Sequence, residues 1–133
     1  MPAEPVPTPS APPVAGPYSP AVRAGDWLVL AGQVGIDPAT GKLAPGGTEA
    51  EAGQVLANVT AVLRDCGAGW ADVAKVTIFL AGSMENFAVV NERYAVALGE
   101  HRPARSTVAV AALPLGAAVE IEAMVHLPQK QEQ

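Results

Sequence analysis

The sequence predicts an α+β sandwich: one sheet with two helices on one of its faces. Three observations carry that prediction. Two segments, centred on residues 48–69 and 83–100, repeat apolar residues at helical spacing. Several short runs rich in Val, Ile and Leu have strand character and are separated by Gly, Pro and Asp. The order in which they alternate is β-β-α-β-α-β-β, and 133 residues suit one domain with one core.

The chain opens with "MPAEPVPTPSAPPVAGP", which is proline-rich and without periodicity. It reads as a flexible extended arm over residues 1–15, a solvated tail more than a docking peptide. The folded domain is assigned to residues 16–128, with order beginning near Tyr18, and residues 129–133 form a flexible C-terminal tail. "AVRAGDWLVLAGQVG" reads as short strands around an Ala-Gly-Asp turn, then a buried strand ending at Gly32. "IDPATGKL" is turn chemistry, Asp-Pro followed by Thr-Gly. In "TEAEAGQVLANVTAVLRDCGAG" Thr48 and Glu51 have capping-box spacing, and Val55, Val59, Val62, Leu63 and Cys66 make one face. Gly67 stops that helix.

"VAKVTIFLAG" is a buried strand. "SMENFAVVNERYAVALGE" is the second helix, with Ser83 as its N-cap and Gly99 at its end. Phe87, Val90 or Asn91, Tyr94 and Leu98 share its inner face, with Phe87 a core residue. "RSTVAVAAL" and "AVEIEAMVHL" are the last strands, turning around Pro114 and Gly116. Two helices cover one face of such a sheet. The strands are too apolar for the other face to stay in water, which implies self-association through the bare faces.

Composition narrows the function. Half the residues are hydrophobic, and mean hydropathy is +0.24. Net charge is −5, with a pI near 4.9, and the basic residues are scattered. That argues against a duplex-binding face. Cys66 is the single cysteine, so it has no internal disulfide partner, and with two histidines it makes a poor zinc set. On an apolar helix face it reads as inert core. The N-terminus lacks the pattern of a signal peptide, and no apolar run reaches the roughly 18 residues of a membrane span. A cytoplasmic protein is the default expectation.

The stretch "RPARSTVAVAALPLGAAVEIEAMV" sets charges at both ends of an apolar run. Alternation puts Arg105 and Thr107 on one face of their strand, and Glu120 and Glu122 on one face of theirs. If the two strands were a hairpin turning near Leu115, Arg105 and Glu120 would lie roughly 15 Å apart at the usual rise per residue. One small ligand could not then touch both within a chain. Either the strands are not hairpin partners, or a site joins Arg105 of one subunit to Glu120 of another. The simplest alternative makes the charges ordinary, weak edge ion pairs.

The segments "GPYSPAV", "AGQVGIDPATGKL", "NVTAVLRDCGAGWADVAKVTIFL", "ENFAVVNERY", "RPARSTVAVAALP" and "VEIEAMV" resemble, in order, the signatures of the RidA/YjgF family. The resemblance implies a chorismate-mutase-like fold and a homotrimer with active sites between subunits. It implies hydrolysis of 2-aminoacrylate and other enamines or 2-imino acids to 2-keto acids and ammonium, with no metal or organic cofactor. Arg105 matches the arginine that grips the substrate carboxylate, for which a guanidinium fork is suited. Glu120 matches the carboxylate that orients water and moves a proton to the departing amine. Tyr18, Gly32, Asn91 and Thr107 match positions lining the cleft, while Glu122 is expected in a structural ion pair. Three departures stand out: Pro20 after "PYS", Ala31 where serine is frequent, and the apolar "LGAAV" before Glu120. A greasier rim is expected to favour imines of larger amino acids, such as leucine or methionine. Two other functions fit the same residues. One is a non-catalytic carboxylate-binding or chaperone-like trimer, and the other a single-stranded RNA endoribonuclease, which the acidic charge and the lack of a histidine pair disfavour.

Overall fold

The computed structural model describes residues 2–130. The 131–133 part of the assigned C-terminal tail lies outside the described residues, as does Met1 of the arm. The strands are β1 (Glu4–Pro5), β2 (Ala21–Ala24), β3 (Trp27–Val34), β4 (Ile36–Asp37), β5 (Lys42–Leu43), β6 (Val73–Ala81), β7 (Ala104–Val110) and β8 (Val119–His126). The helices are α1 (Thr48–Asp65) and α2 (Phe87–Leu98). Among the described residues the main sheet runs β1-β2-β3-β8-β6-β7, with β4 and β5 a small separate ribbon. The predicted mixed α+β domain is present, with β1, β4 and β5 added to the expected order.

The last two strands are not hairpin partners. β7 runs parallel to β6, as a β-α-β crossover through α2 requires, and β8 is inserted antiparallel between β3 and β6. Residues paired across strands share a face, so register fixes the faces. Val76 stands opposite both Arg105 and Ala123, whereas Phe79 stands opposite Glu120. Val76, Ile78, Ile121 and Val125 pack under α1 and α2 in the core. The face bearing Glu120 and Glu122 is uncovered in a single chain. It leaves Trp27, Val29, Val108 and Met124 between 39% and 43% exposed.

The helices follow their apolar faces, but not their expected caps. Val55, Val59, Val62 and Leu63 are fully buried, and Gly67 ends α1 with φ 77° while Ala68 N–H donates to the Leu63 carbonyl. At the other end no side chain caps α1, whose N-cap is Gly47. The expected Thr48–Glu51 box is absent: Thr48 is the first helical residue and not the cap, and Oε1 of Glu51 accepts from the backbone N–H of Ala118, 2.9 Å away. Ser83 is likewise not the N-cap of α2: the helix starts four residues later, after Asn86, and Oγ of Ser83 accepts from Glu85 N–H within a turn.

The proline-rich segment is extended but makes contacts that a free arm would lack. Glu4 and Pro5 pair with Arg23 and Val22, and Ser10 donates from backbone and hydroxyl to the Asp65 carboxylate. Val6 and Ala11 pack against the core. The rule that proline avoids sheets holds only for central strands, and β1 is an edge. No helix among the described residues is long and apolar enough to cross a membrane.

Candidate functional site

The predicted site residues fall into two groups. Arg105 and Thr107 lie on the helix-covered face of edge strand β7, level with Val76 and Ile78. Glu120 lies on the open face of β8, two strands away and three residues further along. Strand spacing and rise separate the two backbones by roughly 14 Å, and the side chains point to opposite faces. One chain therefore holds the predicted residues in two separate clusters.

The first cluster surrounds Glu120. A groove of about 470 Å³ is lined by Glu120, Gly32, Tyr18, Ile36 and Leu115 among others. Glu120 is its one ionisable carboxylate; Tyr18 is 52% exposed at its lip. Gly32 sits in a β-bulge where β3 shifts register against β8. A Cβ there would lie 2.2 Å from Oε1 of Glu120, so the bare backbone is what lets the carboxylate fit. Burial, aided by the neighbouring Glu122 charge, pushes the Glu120 carboxyl up from its ordinary value. Glu122 lies on the same face, as alternation predicts. Its expected ion pair is missing: among the described residues the one ion pair joins Arg93 and Glu49.

All three departures come together beside this groove. Ala31 N–H donates to the Pro20 carbonyl at 2.9 Å, so Pro20 supplies an acceptor to β3 although it lacks a donor of its own. Leu115 is 67% exposed and adopts a left-handed conformation with φ 62°. The apolar rim expected from "LGAAV" is thus a tight turn whose leucine leans on the groove.

The second cluster surrounds Arg105, in a depression of about 390 Å³ that includes Asn91, Tyr94, Arg102 and Pro103. Nη1 of Arg105 donates to Oδ1 of Asn91 at 2.7 Å. Asn91, expected in the cleft, is therefore the arginine's direct partner, and the edge ion pair with a glutamate is not formed. Oγ1 of Thr107, on the same face two residues on, is buried without a hydrogen-bond partner, as is the hydroxyl of Tyr94. Arg102 is differently employed: its Nη1 donates to the carbonyls of Gly99 and His101 at the end of α2.

Sequence reasoning missed the ring contacts of Arg105. Its Cζ lies 5.0 Å from the Tyr94 ring centroid and 5.6 Å from that of Phe87. The signal was present, since positions 87, 91 and 94 share a helix face, but that face reads equally well as core. Among the described residues no three His, Cys, Asp or Glu side chains converge as a metal site. Cys66 is half-buried and unpaired, and burial together with Asp65 pushes its thiol up, away from reactivity.

Comparison with known proteins places this architecture. The family model described as Endoribonuclease L-PSP matches residues 8–127. A 2-iminobutanoate/2-iminopropanoate deaminase of Mus musculus is 44% identical over 117 residues, 88% of this chain and 86% of its own. A RutC family protein of Pyrococcus horikoshii is 44% identical over 119 residues, covering 90% and 94%. The crystal structure of RidA from the Antarctic bacterium Psychrobacter sp. superposes with a TM-score of 0.86 at 40% identity, covering 92% and 98%. With the family model spanning nearly the whole chain and the fold matching throughout, this protein belongs to the RidA/YjgF family.

Proposed function

We propose that the protein hydrolyses 2-imino acids and their enamine tautomers, 2-aminoacrylate among them, to 2-keto acids and ammonium. The observation that carries this reading is Glu120: a carboxyl pushed toward its protonated form, seated against bare Gly32 in an otherwise apolar groove. The deaminase name of the mouse relative supports it.

In this reading Arg105 binds the substrate carboxylate through its guanidinium fork, and Thr107 offers a hydroxyl beside it. Water adds to the iminium carbon as Glu120 takes its proton. The resulting carbinolamine receives that proton on nitrogen, the C–N bond breaks, and the hydroxyl oxygen becomes the keto oxygen as its proton leaves with ammonia as ammonium. Each step balances without a redox partner, and no cofactor or metal is invoked. Tyr18 walls the reacting end. Because Arg105 and Glu120 face opposite sides of one sheet, the complete site needs Glu120 of one copy beside Arg105 of another. A homotrimer packed through the open sheet faces supplies that arrangement, with residues 16–128 as its building block. The cytoplasm is the expected compartment.

The test generates imines in place, from serine with a dehydratase and from leucine or methionine with an amino-acid oxidase, and follows keto-acid release. Acceleration by the wild type, lost in Arg105→Ala, is expected. The apolar rim of Ile36 and Leu115 should favour the leucine- and methionine-derived imines. Unchanged acceleration in Arg105→Ala would remove the arginine's role. No acceleration with any imine would leave a carboxylate-binding trimer.

A further inference from the structure

The partners that hold Arg105 are all uncharged. Asn91 takes one of its N–H groups, and the rings of Phe87 and Tyr94 flank its guanidinium. These three residues stand at i, i+4 and i+7 on α2, so one stripe of one helix makes the whole cradle. Tyr94 is itself fixed, 5% exposed, with its ring edge-on to Trp70 at 6.5 Å between centroids. Trp70 in turn is tied to α1 by its indole N–H, which donates to Oγ1 of Thr60 at 3.0 Å.

From this geometry we infer that Phe87 and Tyr94 are positioning residues, which orient Arg105 by their rings while leaving its positive charge unspent. The inference rests on Arg105 binding the substrate carboxylate. A carboxylate in the cradle would hold the guanidinium at least as firmly. It would also neutralise it and compete with an anionic ligand for the same N–H groups. Aromatic faces attract the cation through their quadrupole and consume no N–H donor. The Asn91 amide consumes one, leaving four of the five guanidinium donors for a ligand. The hydroxyl of Tyr94 has no hydrogen-bond partner, so the ring carries the contact.

The experiment measures binding of 2-oxobutanoate by calorimetry, KM and kcat with imine substrate, and the Arg105 Nε–H resonance by NMR. Tyr94→Leu and Phe87→Leu are each expected to weaken binding about tenfold, between the worth of an exposed cation–π contact and that of a desolvated one. KM should rise by that factor with kcat nearly held, and the Arg105 resonance should broaden. Tyr94→Phe, which restores the ring, should recover the wild-type affinity to within about twofold, as a ring-borne contact requires. Asn91→Asp should keep the Arg105 resonance sharp yet weaken 2-oxobutanoate binding more than either leucine variant. Phe87 is only half-buried, so Phe87→Leu carries the test if Tyr94→Leu lowers the folded fraction. Wild-type affinity in Phe87→Leu and in folded Tyr94→Leu, with Arg105→Ala still impaired, would overturn the cradle alone. Wild-type affinity in Asn91→Asp would overturn the requirement for an unspent charge. Wild-type affinity in Arg105→Ala would overturn the carboxylate reading and the cradle with it.

Discussion

A methyl group added at Gly32 would bring a carbon within 2.2 Å of Oε1 of Glu120, a distance no real Cβ keeps. The obstacle is the far end of a flexible side chain, so the carboxylate swings away and the backbone stays. Gly32→Ala should therefore cost little stability but about 100-fold in deamination, the scale of a 1 Å misplacement at a reacting centre. Thermal melts beside turnover would separate the two effects. Glu120→Gln should behave in the opposite way. The folded carboxyl is raised by burial, so its charged form is what folding disfavours. At pH 4 the carboxyl is largely protonated folded or unfolded, and the variant should melt with the wild type. As pH rises through the folded value, wild-type stability falls relative to the variant, so at pH 8 Glu120→Gln should melt higher while losing activity. An equal melting difference at both pH values would show that the carboxyl is not perturbed. Neither effect was legible in the sequence. The resemblance pointed to Gly32 and Glu120 separately. Their contact depends on the bulge in β3, which no local pattern announces.

Among the elements, α1 and the end of β3 are joined by one buried amide. Nδ2 of Asn58 donates to the carbonyls of Val34 and Ile36 at 3.1 and 2.8 Å, and its Oδ1 accepts from Gln54 at 2.9 Å. Asn58 is 2% exposed, so Asn58→Ala removes three hydrogen bonds worth about 1 kcal/mol each and should cost about 3 kcal/mol. Asn58→Asp keeps the size but turns donors into acceptors facing those carbonyls, and should cost more. Urea denaturation would rank the three proteins, and a cost below that of a surface substitution for Asn58→Ala would dismiss the clamp. Val34 and Ile36 also line the Glu120 groove, so a loosened clamp should raise KM as well. Periodicity revealed both helices and every long strand, because apolar spacing follows directly from which side is buried. The partners stayed hidden. Asn58 sits on a helix face among valines and gives no sign of reaching β3, and Glu51 spends its carboxylate on Ala118 instead of on its own helix. The parallel β6–β7 pair and the insertion of β8 between β3 and β6 are set by tertiary packing. A hairpin reading of the last two strands could not find them.

At the scale of the whole molecule, the sheet has one finished side and one unfinished side. The helix count and the apolar strands foretold this, since two helices cover one face only. Trp27, Val29, Val108 and Met124 project from the open face with about two-fifths of their surface exposed. Glu120 shares that face, whereas Arg105 is on the other. If copies pack through the open faces, a charge placed there should dissolve the assembly without touching the core. Met124 stands opposite both Val29 and Lys75 at the centre of the face, and Val108 lies on edge strand β7. Met124→Asp and Val108→Asp should fold, because neither side chain enters the core. Each should run in light scattering as the 13.5 kDa chain, where the proposed trimer of the wild type would run at about three times that mass. Both should lose deamination, since Glu120 would no longer stand beside a neighbour's Arg105. Mixing Arg105→Ala with Glu120→Gln chains should then restore part of the activity, because some sites in mixed trimers would draw both wild-type groups from different copies. Full activity in a monomeric Met124→Asp protein would mean that one chain completes the site by itself, against the opposite-face placement of its two charged groups.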